Sequence, residues 1–423
     1  MSAGFGKVPR MRRVFVLSAC VATAVSLSGT GTSATAAPTV KHHAFSAAAS
    51  LLAGAKTPEE RAALTDRALA ATVNKLQVAY NTKPLFDQGI DGTGTVLATV
   101  VSYGDKNIKA YIDSYSRSHG LPAADVQVLE PAGKVPACSD PGTPSDCSSW
   151  GGETDLDVAM FHTLAPKAKI LVVATPTSET QGMDGFPDMM TAIDYLADHH
   201  SATVISMSLG TPEDDFDSSA QLHTLDAHFK KATDAGITVT ASSGDDGSTG
   251  TKKDDTPWGK KVVSFPAASS FVTAVGGTVL HQNSNGTRTS PDTVWPRSGG
   301  GVSHEYGAPA WQSEVDKTTH ATGRSLPDIS LLGTSGTSQS SPLFAAVVAL
   351  ASQKAGKGLG FINPALYALG SGGTAKGIVD VTSGSNGYNG VPGYSAATGF
   401  DIVSGWGTVD AAKFVPALVQ QIG

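Results

Sequence analysis

Thr203-Val204-Ile205-Ser206-Met207-Ser208-Leu209 is followed by Leu222, Leu225, Phe229 and Ala232 at helical spacing, and then by Ile237-Thr238-Val239-Thr240-Ala241-Ser242. The two β-branched runs have the length and composition of buried strands, and the four apolar residues between them form one helical stripe. Strand, helix, strand in this order implies parallel pairing, because the crossover helix carries the chain back to the start of the next strand. Upstream, Thr95–Ser102 and Lys169–Thr175 repeat the strand pattern. Parallel strands covered on both faces read as near-continuous apolar runs, as these do. An α/β fold is therefore expected, with a mainly parallel sheet flanked by helices on both faces.

The N-terminus predicts export. Lys7, Arg10, Arg12 and Arg13 precede an apolar run from Val14 to Leu27 and small residues ending in Ala34-Thr35-Ala36-Ala37. This is the pattern of a signal peptide over residues 1–37, cleaved near Ala36 or Ala37. About 14 apolar residues interrupted by Ser and Thr are too few for a membrane span, so no stable membrane anchor is expected. Without those four basic residues the chain carries 26 Lys+Arg against 37 Asp+Glu, a formal charge of −11. Such an acidic chain is a poor partner for nucleic acid. Cys20 leaves with the leader, and Cys138 and Cys147 remain as an even pair in an oxidising compartment, which implies a disulfide. The alternative is metal binding, but two thiols without a His pair fall short of zinc's four ligands.

Residues 38–75 form a short pro-segment or N-terminal helical arm: Thr57 suits a cap, Pro58 a first turn, and Glu59 and Glu60 the positive end of a helix. Residues 76–423 remain for one large catalytic domain of 348 residues.

Within it, Ser335-Gly336-Thr337-Ser338-Gln339-Ser340-Ser341-Pro342 runs into Leu343-Phe344-Ala345-Ala346-Val347-Val348. Small residues there turn a loop sharply into a buried helix and present Ser338 at its N-terminus, where backbone N–H groups favour developing negative charge. The same residues would also serve as the plain cap of a core helix. A second pattern is Gly152-Glu153-Thr154-Asp155-Leu156-Asp157-Val158-Ala159. Glu153 and Asp157 are four apart, on one helical face. Two carboxyls so held separate their pKa values, and one becomes a base for a serine hydroxyl. Read in isolation, the pair could equally be a solvated acidic helix start.

A Gly-Thr-Ser loop with Pro four residues after the Ser is common to subtilisins and sedolisins. Subtilisins need a His base in a His-Gly-Thr-His setting, and none of the eleven histidines has it; His119-Gly120-Leu121 comes nearest. The chain instead resembles the sedolisin (serine-carboxyl peptidase) family over nearly all of residues 76–423. Besides Glu153–Asp157 and Ala165-Pro166-Lys167-Ala168, the resemblance rests on Val204–Gly210, Ala241–Gly247, Phe265–Ser270, Val275–Thr278, Gly299–Ser303 and Arg324–Ser330. It implies Ser338 as nucleophile, Glu153 as general base and then acid, Asp157 as its orienting partner, and Asp245 as a protonated oxyanion donor. By the residues alone Asp245 could be an Asx turn. Ser208, Leu209 and Gly210 resemble the edge on which these enzymes pair substrate backbone, or are plain strand-end packing.

Asp380-Val381 and Ala397-Thr398-Gly399-Phe400-Asp401 resemble the family's calcium site. The resemblance assigns Ca2+ to the carboxylates of Asp380 and Asp401 and the carbonyls of Val381, Ala397 and Gly399, a hard-oxygen set that suits it; unaided, the clusters read as turns. The implied protein is a secreted, extracellular monomer, an acid-acting endopeptidase of polypeptide substrates. The alternative is a secreted, catalytically inactive relative that binds polypeptides. One departure stands out: precursors of the family carry a folded prodomain much longer than residues 38–75.

Overall fold

Among the described residues seven strands run parallel in one sheet, and their residues account for the pairing. The computed structural model describes Met1 and residues 47–68, 72–179 and 182–423; the expected signal peptide and Cys20 lie outside the described residues. The strands are β1 (Val96–Ser102), β2 (Asp125–Leu129), β3 (Lys169–Thr175), β4 (Val204–Met207), β5 (Thr238–Ser242), β6 (Thr273–Val279) and β7 (Ile329–Leu332), in the spatial order β7-β6-β5-β4-β1-β3-β2. Each neighbouring pair is parallel. Thr293–Val294 adds a short antiparallel piece beside β6. Every residue of β1 and β3 after the first is buried, which is why both are apolar throughout rather than alternating.

The connecting helices are α1 (Ala47–Ala53), α2 (Pro58–Ala68), α3 (Val73–Ala79), α4 (Ile108–His119), α5 (Cys147–Leu164), α6 (Phe186–Asp198), α7 (Ser219–Asp234) and α8 (Thr337–Ala355). Leu222, Leu225, Phe229 and Ala232 are all buried on α7, as their spacing requires. α6 and α7 pack on each other, α6 against β1 and β3 and α7 against β5. α5 and α8 pack together, and α8 crosses β4, β5, β6 and β7. Both are buried along most of their length, so neither reads as amphipathic: α8 is mostly apolar or small, and α5 carries Glu153, Asp155, Asp157 and His162 inside as well.

Cys138 and Cys147 are bonded to each other, closing the loop that enters α5. α2 begins as its sequence dictates: Glu60 N–H donates to Thr57 Oγ1 at 3.1 Å and Thr57 N–H to Glu60 Oε2 at 3.3 Å, a reciprocal capping box. The residue-76 boundary expected between arm and catalytic domain falls inside α3. No described helix is long and apolar enough to cross a membrane.

Candidate active site

Ser338 is the second residue of α8, and Gly336 before it has φ 125°, a conformation that a residue with a Cβ rarely adopts. The loop is fixed from behind. Ser341 Oγ lies 2.8 Å from Ser206 Oγ and 3.1 Å from Thr240 Oγ1, while Ser340 Oγ donates to the carbonyl of Leu332 at 3.0 Å. These bonds tie the first turn of α8 to the ends of β4, β5 and β7. Pro342 lacks the N–H that would have bonded the Ser338 carbonyl four residues back. Ser208 Oγ lies 3.2 Å from that carbonyl instead.

The carboxyls converge on the serine. Glu153 and Asp157, one turn apart on α5, are both buried, and the Ser338 hydroxyl lies beside the Glu153 carboxyl. Burial pushes Glu153 well above the usual carboxylate range, with Asp157 and Asp245 adding like charge, while the Ser338 hydroxyl opposes the shift. Asp157 is pushed up to about 7 by burial, against bonds from Ser208 Oγ to Oδ1 at 2.6 Å and from Thr99 Oγ1 to Oδ2. Asp245, part exposed at the cleft, is raised to about 6 by loss of solvation. Thr337 counters this through its N–H at 2.7 Å and Oγ1 at 2.8 Å, both on Asp245 Oδ1. Asp246, next in the chain, instead accepts from Thr251 Oγ1 and pairs with Arg297, which also donates Nε–H to the Asp245 carbonyl at 2.9 Å.

Ser338, Glu153, Asp157 and Asp245 thus form one cluster drawn from three separate stretches of chain. The cleft at Ser338 is walled by Leu209, Gly210, Ser242, Gly244, Asp245 and Thr337. Leu209 and Gly210 line it, while the Ser208 side chain turns inward to Asp157. Thr99, Thr337 and the inward role of Ser208 carry no signal in the sequence taken alone: each is an ordinary strand or loop hydroxyl until the fold sets a carboxylate beside it.

The residue pattern of the subtilase family matches residues 94–365. The chain belongs to the subtilase family, in its sedolisin branch. Kumamolisin of Bacillus sp. (strain MN-32) is 32% identical over 365 residues, 79% of this chain and 62% of that protein. Sedolisin of Pseudomonas sp. (strain 101) is 32% identical over 330 residues, 71% of this chain and 54% of the relative. The solved Pseudomonas sedolisin, a serine-carboxyl proteinase complexed with two molecules of pseudo-iodotyrostatin, superposes with a TM-score of 0.70 at 29% identity, covering 82% of this chain and 96% of that one. This subtilase therefore spans little more than half the length of the curated relatives it matches.

Away from the cleft, the residues assigned to calcium also meet. Asp380 Oδ2 accepts from Gly399 N–H at 2.8 Å, and Asp401 Oδ2 from Ala397 N–H at 2.9 Å. Asp401 Oδ1 takes the N–H groups of Val403 and Ser404. Asp380 Oδ1 is buried with no hydrogen-bond partner among the described residues. Two carboxylates and nearby carbonyls with one such oxygen unspent fit a hard divalent ion. Glu213, Asp214 and His304 also approach one another, but Ser303 Oγ and His304 N–H occupy Glu213, and Lys260 pairs with Asp214.

Proposed function

We propose that the protein is a secreted serine-carboxyl endopeptidase that hydrolyses peptide bonds in acid through an acyl-enzyme on Ser338. The observation that carries this reading is the Ser338 hydroxyl set beside the buried Glu153 carboxyl, with Asp157 buried behind it and Asp245 at the cleft. Glu153 takes the Ser338 proton as Oγ bonds to the substrate carbonyl carbon, then returns it to the leaving amine as the C–N bond breaks. Water repeats the sequence with Glu153 as base and releases the acid product. Asp157, held by Ser208 and Thr99, orients Glu153. With Asp245 Oδ1 occupied by Thr337, the Asp245 proton belongs on Oδ2, where it donates to the oxyanion.

Three nearby carboxyls do not ionise independently. The first proton leaves the cluster in acid, and the next must leave against the charge so created. The working state, Glu153 ionised and Asp245 neutral, lies between those two steps. Secretion is supported by the basic–apolar–small pattern at the N-terminus and by the disulfide. Asp380, Asp401, Val381, Ala397 and Gly399 would hold Ca2+, which, when bound, ties residues 380–381 to 397–401. Polypeptides are the proposed substrates.

Purified protein incubated with a denatured protein in acid, beside Ser338→Ala and Glu153→Ala, tests the reading. The parent should cut internal bonds, and each variant should lose all but about a thousandth of the turnover, because the groups act as one unit. Near-parental cutting by Ser338→Ala would end the assignment.

A further inference from the structure

α1 and α2 lie outside every role described so far, yet α1 docks on the helix that carries the catalytic carboxyls and α2 reaches it through Arg61. α1 packs against α5 and α2 against α4. Leu52 is fully buried and Ala62 nearly so, both in the main core. Thr65 Oγ1 hydrogen-bonds the Tyr111 hydroxyl at 2.8 Å. Arg61, 8% exposed, places Nη1 2.6 Å from Asp155 Oδ2 and 2.8 Å from Asp105 Oδ2.

Asp155 is fully buried and stands between Glu153 and Asp157 in sequence. Two residues on a helix are about 200° apart, so Asp155 faces away from the serine while the catalytic pair faces it. Arg61 is the only cation paired with Asp155 among the described residues. None of the residues walling the cleft comes from the arm, so the arm does not obstruct the site as a releasable plug would.

We propose that residues 47–68 are a permanent part of the working protein and that Arg61 is a positioning residue, fixing α5 from its outer face so that Glu153 and Asp157 meet Ser338. The positioning role rests on the peptidase reading; the permanence of the arm does not. A buried carboxyl stripped of its only cation must stay protonated or pull the helix toward solvent. The ionisable groups that bear on Asp155 are Asp105, Arg61 and Tyr111. Burial and Asp105 push the Asp155 carboxyl well up, and Arg61 opposes them. Loss of Arg61 therefore costs least in acid and more as pH rises and Asp155 would otherwise ionise.

The test takes the secreted, active protein and determines its N-terminus by intact mass and terminal sequencing. Arg61→Gln and Arg61→Gln/Asp155→Asn are then compared with the parent in melting temperature across pH, and in kcat and KM. The active species should retain residues 47–68. Arg61→Gln should lower kcat by about tenfold or more with little change in KM, and its melting deficit should widen with rising pH. Asp155→Asn in the same chain should remove that widening and recover most of kcat. An active species that begins after Ala68 would overturn the proposal, as would an Arg61→Gln protein equal to the parent in both melting and kcat. If the parent cuts no peptide bond, the peptidase reading fails, while the N-terminus and the pH-dependent melting still decide the arm.

Discussion

Ser208 holds two things with one hydroxyl. Its Oγ donates to Asp157 Oδ1 at 2.6 Å and lies 3.2 Å from the Ser338 carbonyl that Pro342 leaves without its usual helical donor. With Asp157 raised to about 7, the bond is to a neutral carboxyl in acid and is worth about 0.5–1.5 kcal/mol, so Ser208→Ala should lower kcat by about 2- to 10-fold, with the chain folded and KM little changed. Steady-state kinetics on one peptide check this, and an unchanged kcat would mean that Thr99 alone holds Asp157. Asp245 is likewise set by its neighbour: Thr337 gives both N–H and hydroxyl to one carboxyl oxygen. The motif around Ser338 was legible because it packs its chemistry into eight consecutive residues. The pairing of Thr99 with Asp157, 58 positions apart, has no local signature; only the fold brings them together.

At the level of elements, periodicity was a good guide and boundaries were not. The stripe on α7 and the runs of β1, β3 and β5 follow their residues closely, whereas β4 stops at Met207, two residues earlier than its apolar pattern suggests. The pattern continues because Ser208 and Leu209 are buried, but they are buried against α5 and the cleft instead of in the ladder. The expectation of an arm over residues 38–75 had Thr57 as the cap of α2, yet neither the reciprocal bond to Glu60 nor Arg61, whose partner Asp155 is 94 residues away. The segments 380–381 and 397–401 behave as one element, held by Asp380 on Gly399 and Asp401 on Ala397. If Ca2+ binds there in the folded state only, a chelator should lower the melting temperature by RT ln(1 + [L]/Kd) worth of stability, about 2.7 kcal/mol for a site filled at a hundredfold excess over Kd. Asp401→Ala should do the same without chelator. Equal melting curves with and without chelator, and no metal in the protein, would refute the site.

Across the described residues most carboxyls whose pKa is shifted by burial move upward, Asp91 with its Lys167 and Thr93 partners being an exception. Burial raises Asp157 and Glu213 to about 7, Asp215 and Asp245 to about 6, and Glu153, Asp155, Glu179 and Asp226 above the ordinary range. Each folded pKa lies above its unfolded value of about 4, so the native state holds more protons than the unfolded chain and stability falls as pH rises. The contribution is complete below about pH 4 and is lost through about pH 6 to 7. Melting temperature should therefore drop by about 5 °C or more between pH 4 and pH 7; a rise over that interval would contradict the account of the buried carboxyls.

On the proposed mechanism three of these groups, Glu153, Asp157 and Asp245, also set the rate. Turnover of a single peptide, followed from about pH 2 to about pH 8 for the parent and for Asp245→Asn, bears most directly on the serine-carboxyl mechanism. The acidic limb reports protonation of the base and the basic limb loss of the oxyanion donor's proton, both as properties of the cluster. An amide keeps its hydrogens throughout this range. The account predicts a bell centred in acid for the parent and, for Asp245→Asn, residual activity whose basic limb has moved upward. A parent optimum at neutral pH, or a basic limb that stays in place in Asp245→Asn, would contradict it.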